Sequence, residues 1–510
     1  MSETGYSAAR LLDALVSRAS HPALEGPGRS YTFGELDALS RAHANQLSRL
    51  GVASGDRVAV LAPTCPEAVI AFVGHLRSGV IHVPINTRYR SEEMHHILED
   101  SGACAVLYQR GGEGSAVLEE IRSSSPPPAL ENWLEIGQTP AAAPGPGPPA
   151  EPSRPSDGQA AVLIYTSGTT GKSKGVALSY RALAENTLSV TRLWRATSED
   201  RLVLPLPLFH VHGLCLGITG ALLHGSTILL EPRFDASRVV DAFAGAEATV
   251  FMGVPTMYVR LLEHFDAHPE AMAALGRARL FTSGSAPLPA SDFALFREKT
   301  GHAILERYGM SETLFTLSNP YDGERRPGTV GLPVPGCAAR VVDEQGRDLP
   351  DGELGELFVE SNGLMNGYWG REAETAASFR DGWFATGDMA RRESDGYFTI
   401  AGRKSVDFIK SGGFKISARE VEDVLRRHPR IRDVAVVGAP DRTWGQRIVA
   451  AVVLEASDAR LSSEDLLEEL SDFCARSLAD YKRPREVRVL DELPRNALGK
   501  VQKHRIVEEL

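Results

Sequence analysis

Residues 165–175 read Tyr165-Thr-Ser-Gly-Thr-Thr-Gly-Lys-Ser-Lys-Gly175, directly after the apolar run Ala160-Ala-Val-Leu-Ile164. The short apolar run predicts a buried strand. The eleven residues after it carry three glycines, six hydroxyls and two lysines. Glycines let successive backbone N–H groups face one concavity, hydroxyls add neutral donors, and lysines add positive charge. A polyphosphate needs that combination. A flexible polar hairpin loop is the plainer alternative, but most such loops lack this density of donors. Nor is the run a Walker A loop, because only Thr169 and Thr170 separate Gly168 from Gly171-Lys172-Ser173. The phosphate belongs to another kind of nucleotide enzyme.

Outward from this loop, the first hundred residues alternate helix and strand signals. Thr32-Phe-Gly-Glu35 reads as a capping box opening an amphipathic helix that Gly51 closes. Asp56-Arg-Val-Ala-Val-Leu61 reads as a strand, residues 66–78 as a helix and Val80-Ile-His-Val-Pro84 as a strand. Such alternation predicts an α/β layer on largely parallel sheets. Residues 123–156, rich in Ser, Pro, Ala and Gly, read as an extended surface loop with neither helix nor strand. Near residue 403 the character changes. Asp433-Val-Ala-Val-Val437 and Arg447-Ile-Val-Ala-Ala-Val-Val453 read as strands, and Ser417-Ala-Arg-Glu420 as a second capping box opening a helix over Val421–Arg427. The far end therefore reads as a small α+β domain.

At 510 residues the chain exceeds what one hydrophobic core usually organises, so two or more domains are expected. A net charge of −11 argues against a nucleic-acid scaffold, and an anionic substrate must be drawn in by local basic groups and metal. Five scattered cysteines without a C-x-x-C pair argue against a zinc site or disulfide framework and fit a reducing cytoplasm. No secretory signal is visible, and no apolar stretch approaches the ~20 residues of a membrane span.

The phosphate run resembles that of the adenylate-forming superfamily: acyl-CoA synthetases, luciferases and nonribosomal peptide adenylation domains. Five further stretches match the superfamily's motifs in order. Pro207-Leu-Phe-His210 resembles its substrate-side histidine segment, Tyr308-Gly-Met-Ser-Glu-Thr313 its aromatic-plus-acid motif, and Thr386-Gly-Asp388 its ribose-binding aspartate. Gly402-Arg403 marks the start of the interdomain hinge, and Pro494-Arg-Asn-Ala-Leu-Gly-Lys500 matches the catalytic lysine motif. The resemblance implies a large α/β N-terminal domain of mixed and parallel sheets flanked by helices, residues 1–403. A small mobile α+β lid, residues 404–510, follows it.

It also implies a chemistry and a cast. The substrate carboxylate attacks the α-phosphorus of ATP, pyrophosphate leaves, and the thiol of coenzyme A then displaces AMP from the acyl-adenylate. Thr166, Ser167, Gly168, Thr169, Thr170, Gly171 and Lys174 would hold the β- and γ-phosphates. Glu312 would bind Mg²⁺, and Thr313 would contact the α-phosphate. Tyr308 would stack on adenine opposite Ser285, Ala286 and Pro287. Asp388 would accept the ribose hydroxyls with Arg403 in support, and Lys500 would bridge the carboxylate and the α-phosphate. Ser411, Gly412 and Gly413 would gate coenzyme A, and either Lys404 or Ser405 is the hinge pivot. Taken singly, an Asp after Thr-Gly reads as a turn residue and a Lys near a C-terminus as a solvated helix start. The ordered set is what gives them meaning.

Within the superfamily, Leu204-Pro-Leu-Pro-Leu-Phe-His-Val-His-Gly-Leu214, Glu306-Arg-Tyr-Gly-Met310, Ser405–Ile416 and Trp444-Gly-Gln446 look like malonyl-CoA synthetases. There the arginine before the stacking tyrosine, here Arg307, meets the distal carboxylate of the substrate. A guanidinium grips a planar carboxylate with two parallel hydrogen bonds. A structural ion pair with Glu306 or another surface acid is the alternative. His210, Ser283 and Gly284 would complete the acyl pocket, with His212 unassigned. Leu314-Phe-Thr-Leu317 is bulkier than the malonate pattern, which leaves methylmalonate or a different short acid open, with a synthetase for short- or medium-chain monocarboxylic acids as the alternative. A stand-alone adenylation enzyme is a further alternative. The Pro494–Lys500 motif is one at which similar synthetases are acetylated, so a lysine acetyltransferase acting on Lys500 is an expected partner.

Overall fold

Thr32 caps the helix Phe33–Arg49: its hydroxyl accepts the Glu35 amide and the Glu35 carboxylate accepts the Thr32 amide. The helix Pro66–Ser78 begins with a proline and stops at Gly79, whose φ of 73° is left-handed. It links the parallel neighbours Arg57–Leu61 and Ile81–Pro84 as a helical crossover, and both strands are buried almost throughout. The computed structural model describes residues 6–26, 28–137, 155–166, 173–404, 407–411, 414–455, 463–475, 477–496 and 499–510.

Two compact units emerge, one of residues 1–338 with 359–383, the other of residues 339–358 with 384–510. The first unit holds a seven-stranded and a nine-stranded sheet among the described residues. The seven-stranded sheet runs from Gly367–Tyr368 through Lys174–Ser179 and Ala160–Thr166 to Ile81–Pro84, Arg57–Leu61, Ala105–Tyr108 and Asn132–Glu135. Its last strand corrects the reading of residues 123–156 as strandless. Asn132–Glu135 pairs in parallel with Ala105–Tyr108, and Trp133 packs against the core beneath. Two apolar residues sufficed to recruit an edge strand inside a proline-rich stretch.

The nine-stranded sheet is parallel through Thr227–Leu230, Arg201–Leu204, Val250–Gly253, Leu280–Ser283 and Leu305–Met310. It then turns antiparallel at Leu314–Ser318. Behind its centre Phe251, Tyr258, Phe281 and Phe296 are fully buried, with Phe281 and Phe296 5.1 Å apart and Tyr258 and Phe296 5.3 Å apart. The Tyr258 hydroxyl donates to the Thr282 carbonyl at 2.7 Å and fixes the end of the strand that leads into the site.

The second unit carries a five-stranded sheet in which Ile431–Asp441 and Gly445–Leu454 form the long antiparallel pair. Its core packs Ile409, Val421, Val436, Leu466 and Leu470. The helix beside it runs Ala418–Leu425 rather than Val421–Arg427, because the Ser417 hydroxyl accepts the Glu420 amide and the next residue is already helical. No helix among the described residues is long and apolar enough to cross a membrane.

Three buried imidazoles in the first unit give an acid-stability prediction. His75 Nε2 lies 3.2 Å from His43 Nε2, and its Nδ1 lies 2.9 Å from His82 Nδ1. Burial pushes His43 down to about 4 and His82 to about 3, and holds His75 well below its ordinary range. The unfolded chain, whose histidines titrate near ~6.5, binds more protons below that pH. Stability is therefore complete above ~6.5 and falls as pH drops toward about 4. Urea unfolding from pH 7 to 4.5 checks this: His75→Phe should flatten the slope, and an unchanged slope would contradict it.

Candidate active site

Gly309 sets the geometry of the aromatic-plus-acid motif. Leu305–Met310 and Leu314–Ser318 form a hairpin whose register shifts between Tyr308 and Gly309. A Cβ at Gly309 would lie 2.1 Å from the Leu314 carbonyl oxygen and 2.9 Å from Phe315 Cα, so only glycine fits. Side chains alternate along the strand. Glu306 Oε1 accepts the Leu288 amide at 3.0 Å, and among the described residues no ion pair joins Glu306 to Arg307.

Arg307 is 4% exposed, and its guanidinium lies 4.7 Å from the centre of the Phe315 ring. On the strand-end side, a Cβ at Gly284 would stand 2.5 Å from Arg307 Cζ, so the guanidinium occupies space that only a glycine leaves open. Nε and Nη2 have no hydrogen-bond partner among the described residues. These two nitrogens form one edge of the guanidinium, the side-on edge that binds a carboxylate in two parallel bonds. Burial pushes the group down to about 9, which leaves it charged at neutral pH. An unpaired buried charge is costly unless an anion meets it.

Other polar atoms around it are equally unpartnered. His212 Nε2 and Ser283 Oγ are buried and find no partner among the described residues. His212 Nδ1 lies 3.4 Å from Ser285 Oγ, and Ser285 holds a left-handed φ of 69°, strain of the kind found at functional turns. Burial pushes His210 down to about 4. Burial, then Arg307, then His210 push His212 well below its usual value. Both imidazoles are neutral at pH 7 and offer hydrogen bonds without adding charge.

Residues Ser167, Gly168, Thr169, Thr170 and Gly171 lie outside the described residues; their flanks do not. Thr166 and Lys174 stand opposite each other in the antiparallel pair Ala160–Thr166 and Lys174–Ser179. Lys174 forms an ion pair with Glu374 and lies 5.2 Å from the Tyr368 ring centre. The Tyr368 hydroxyl donates to Glu312 Oε1 at 3.2 Å. Glu312 and Thr313 are buried in the turn, and the Thr313 carbonyl accepts from Ser361 Oγ at 3.0 Å. Tyr308, Ser285 and Ala286 are half-buried, and Pro287 is exposed. Among the described residues no group of three metal-ligating side chains forms a dedicated cage. One carboxylate, Glu312, suits a hard cation that arrives with phosphate oxygens and water.

In the second unit, Asp388 and Arg403 stand opposite each other in the pair Trp383–Arg392 and Phe398–Arg403, and Arg403 Nε lies 2.8 Å from Asp388 Oδ1. The Asp388 amide donates to Thr386 Oγ1 at 3.0 Å, and Arg403 Nη1 donates to the Thr386 carbonyl at 3.1 Å. Lys500 reaches solvent, yet the protein packed round its ammonium, and next Arg403, lower its pKa against the opposing pull of Asp388 and Asp407. Ser411 is buried with Oγ unpartnered among the described residues, and Gly412 and Gly413 lie outside those residues. The sequence reading missed Tyr368, Glu374 and the stacking of Phe315. Only the bulk of Phe315 signalled anything.

The sequence profile described as "AMP-binding enzyme" matches residues 13–369, and that described as "AMP-binding enzyme C-terminal domain" matches residues 420–500. The mitochondrial malonate–CoA ligase of Mus musculus is 36% identical over 94% of this chain and 87% of its own. The sulfoacetate–CoA ligase of Cupriavidus necator is 35% identical over 94% of this chain and 92% of its own. ATP-bound MatB from Rhodopseudomonas palustris superposes with a TM-score of 0.89 at 34% identity, covering 99% of both chains.

Proposed function

This chain belongs to the AMP-binding enzyme family, and from that membership we propose that it joins malonate to coenzyme A through a malonyl-adenylate, releasing pyrophosphate and AMP. It is an AMP-forming acid–CoA ligase. The observation that carries the choice of acid is the orphaned Nε/Nη2 edge of Arg307, buried between Gly284 and Phe315. A monocarboxylate's alkyl chain would leave that charge unpaired, whereas the second carboxylate of malonate completes it.

On this reading the reacting carboxylate stays free for the α-phosphorus, while Ser283, Gly284 and neutral His210 shape the pocket around the distal one. Thr166, Lys174 and the intervening residues 167–171 hold the β- and γ-phosphates, for which Lys174 exchanges Glu374 for phosphate oxygens. Glu312 would hold Mg²⁺, which when bound would supply charge neutralisation at the phosphates; Thr313 would contact the α-phosphate. Tyr308 stacks on adenine against Ser285, Ala286 and Pro287, and Asp388 with Arg403 holds the ribose. Lys500 supplies the charge that draws two anions together, the main obstacle of the first step. Residues 404–510 move as the lid, with Ser411, Gly412 and Gly413 admitting coenzyme A. The five free cysteines suit a reducing compartment such as the cytoplasm. The exposure of Lys500 suits modification by a lysine acetyltransferase, which would remove its charge.

Product analysis tests the reaction. Malonate, ATP, Mg²⁺ and coenzyme A should yield malonyl-CoA, AMP and pyrophosphate in equal amounts. ADP and phosphate in place of AMP and pyrophosphate would reject the adenylate route.

A further inference from the structure

Three residues beyond the exposed Lys500, another lysine is largely covered. Lys503 opens the helix Lys503–Glu508 and keeps 12% of its side chain exposed. Its Nζ pairs with Asp407 Oδ1 and lies 2.8 Å from Glu422 Oε1, two carboxylates that are themselves largely covered. Although burial opposes it, Glu422 and then Asp407 hold the ammonium above its ordinary range. Well-packed apolar residues stabilise such a place at least as well as buried ions do. What an ion triad adds is a single permitted arrangement.

That arrangement has two reaches. Asp407 Oδ2 also accepts the Arg403 amide at 2.9 Å, and the Arg403 guanidinium holds Asp388. Glu422 Oε1 also accepts the Val436 amide at 2.8 Å, in the middle of the strand Ile431–Asp441. The turn before Lys503 is closed on itself. The Gln502 amide donates to the Pro494 carbonyl at 2.7 Å, and the Asn496 amide to the Lys500 carbonyl at 2.9 Å. The Lys500 amide donates to Asn496 Oδ1 at 2.9 Å, and Arg495 pairs with Asp433. These bonds tie the described residues of the turn to one another, and Lys503 is its foot.

We infer that Lys503 is a positioning residue for the adenylation step: by binding Asp407 and Glu422 together it seats the turn that carries Lys500 near Asp388 and Arg403. It also occupies Asp407, which would otherwise compete for the Lys500 ammonium. The inference rests on the reading of Lys500 as the adenylation lysine.

A double-mutant cycle tests it. Lys503→Met should slow pyrophosphate release by roughly tenfold or more at saturating ATP and malonate, and leave pre-formed malonyl-adenylate plus coenzyme A within about threefold of wild type. Lys503→Arg, which keeps the charge, should recover most of the loss. In a Lys500→Ala background, Lys503→Met should cost nothing further, because the residue acts through Lys500. Equal losses in both half-reactions, or a full additional loss in the Lys500→Ala background, would make Lys503 a stability element and overturn the inference. If Lys503→Met folds poorly, Glu422→Gln, which weakens the same clasp and keeps the ammonium, should show the same selective loss. Its absence there would count equally against the inference. Full adenylation by Lys500→Ala alone would instead overturn the underlying assignment.

Discussion

Arg307→Ala should lower kcat/KM for malonate by roughly 10²-fold or more, since breaking a buried charge pair costs about 3–5 kcal/mol. The same variant should keep or improve its activity on butyrate. The asymmetry arises from the setting: a guanidinium 4% exposed, stacked on Phe315, with two nitrogens of one edge unpartnered among the described residues. On the proposed reading malonate meets that edge, and butyrate has no group that can. In the variant the alkyl chain no longer faces an unpaired charge, so the penalty on butyrate disappears. Initial rates of pyrophosphate release with each acid check the prediction. Equal losses on both acids would assign Arg307 to the scaffold.

Lys500→Ala should separate the two half-reactions. Adenylation of malonate should fall by roughly 10²–10³-fold, the usual loss when one preorganised charge-stabilising group is removed. Conversion of pre-formed malonyl-adenylate and coenzyme A should stay near the wild-type rate. The first step forces a carboxylate against a polyphosphate, where the ammonium is most needed; the second is attack of the thiol on the already activated acyl carbon of the mixed anhydride, with AMP leaving, and depends on it far less. Single-turnover measurements of each step distinguish these outcomes, and a joint collapse would show that Lys500 serves both or holds the unit together.

Much of this was legible in the chain itself. The capping box at Thr32, the helix over residues 66–78 and the strand before the phosphate loop obey local rules that tertiary packing did not override. Arg307 could be singled out because it stands beside Tyr308 in a motif; its burial against Gly284 could not, because that depends on how two strand ends meet. Phe315 was not legible, because its contact with Arg307 depends on a register shift in the hairpin, and register is not written in residue type. Tyr368 reaches Glu312 only because a two-residue strand, Gly367–Tyr368, adds to the sheet edge far along the chain. Lys503 drew no reading from the sequence, because nothing there brings Asp407 and Glu422 to it. Asn132–Glu135 hid in a proline-rich stretch because edge strands need little more than a template to pair with.

If Arg307 does select the acid, the pocket favours one with a second anionic group at short reach, malonate first. The decisive comparison is kcat/KM for pyrophosphate release with malonate, methylmalonate, succinate, sulfoacetate, acetate, butyrate and benzoate, measured on the wild-type enzyme. Malonate should give the highest value, with acetate and butyrate lower by roughly 10²-fold or more, the cost of leaving Arg307 unpaired. A highest value for butyrate or benzoate would contradict this selection.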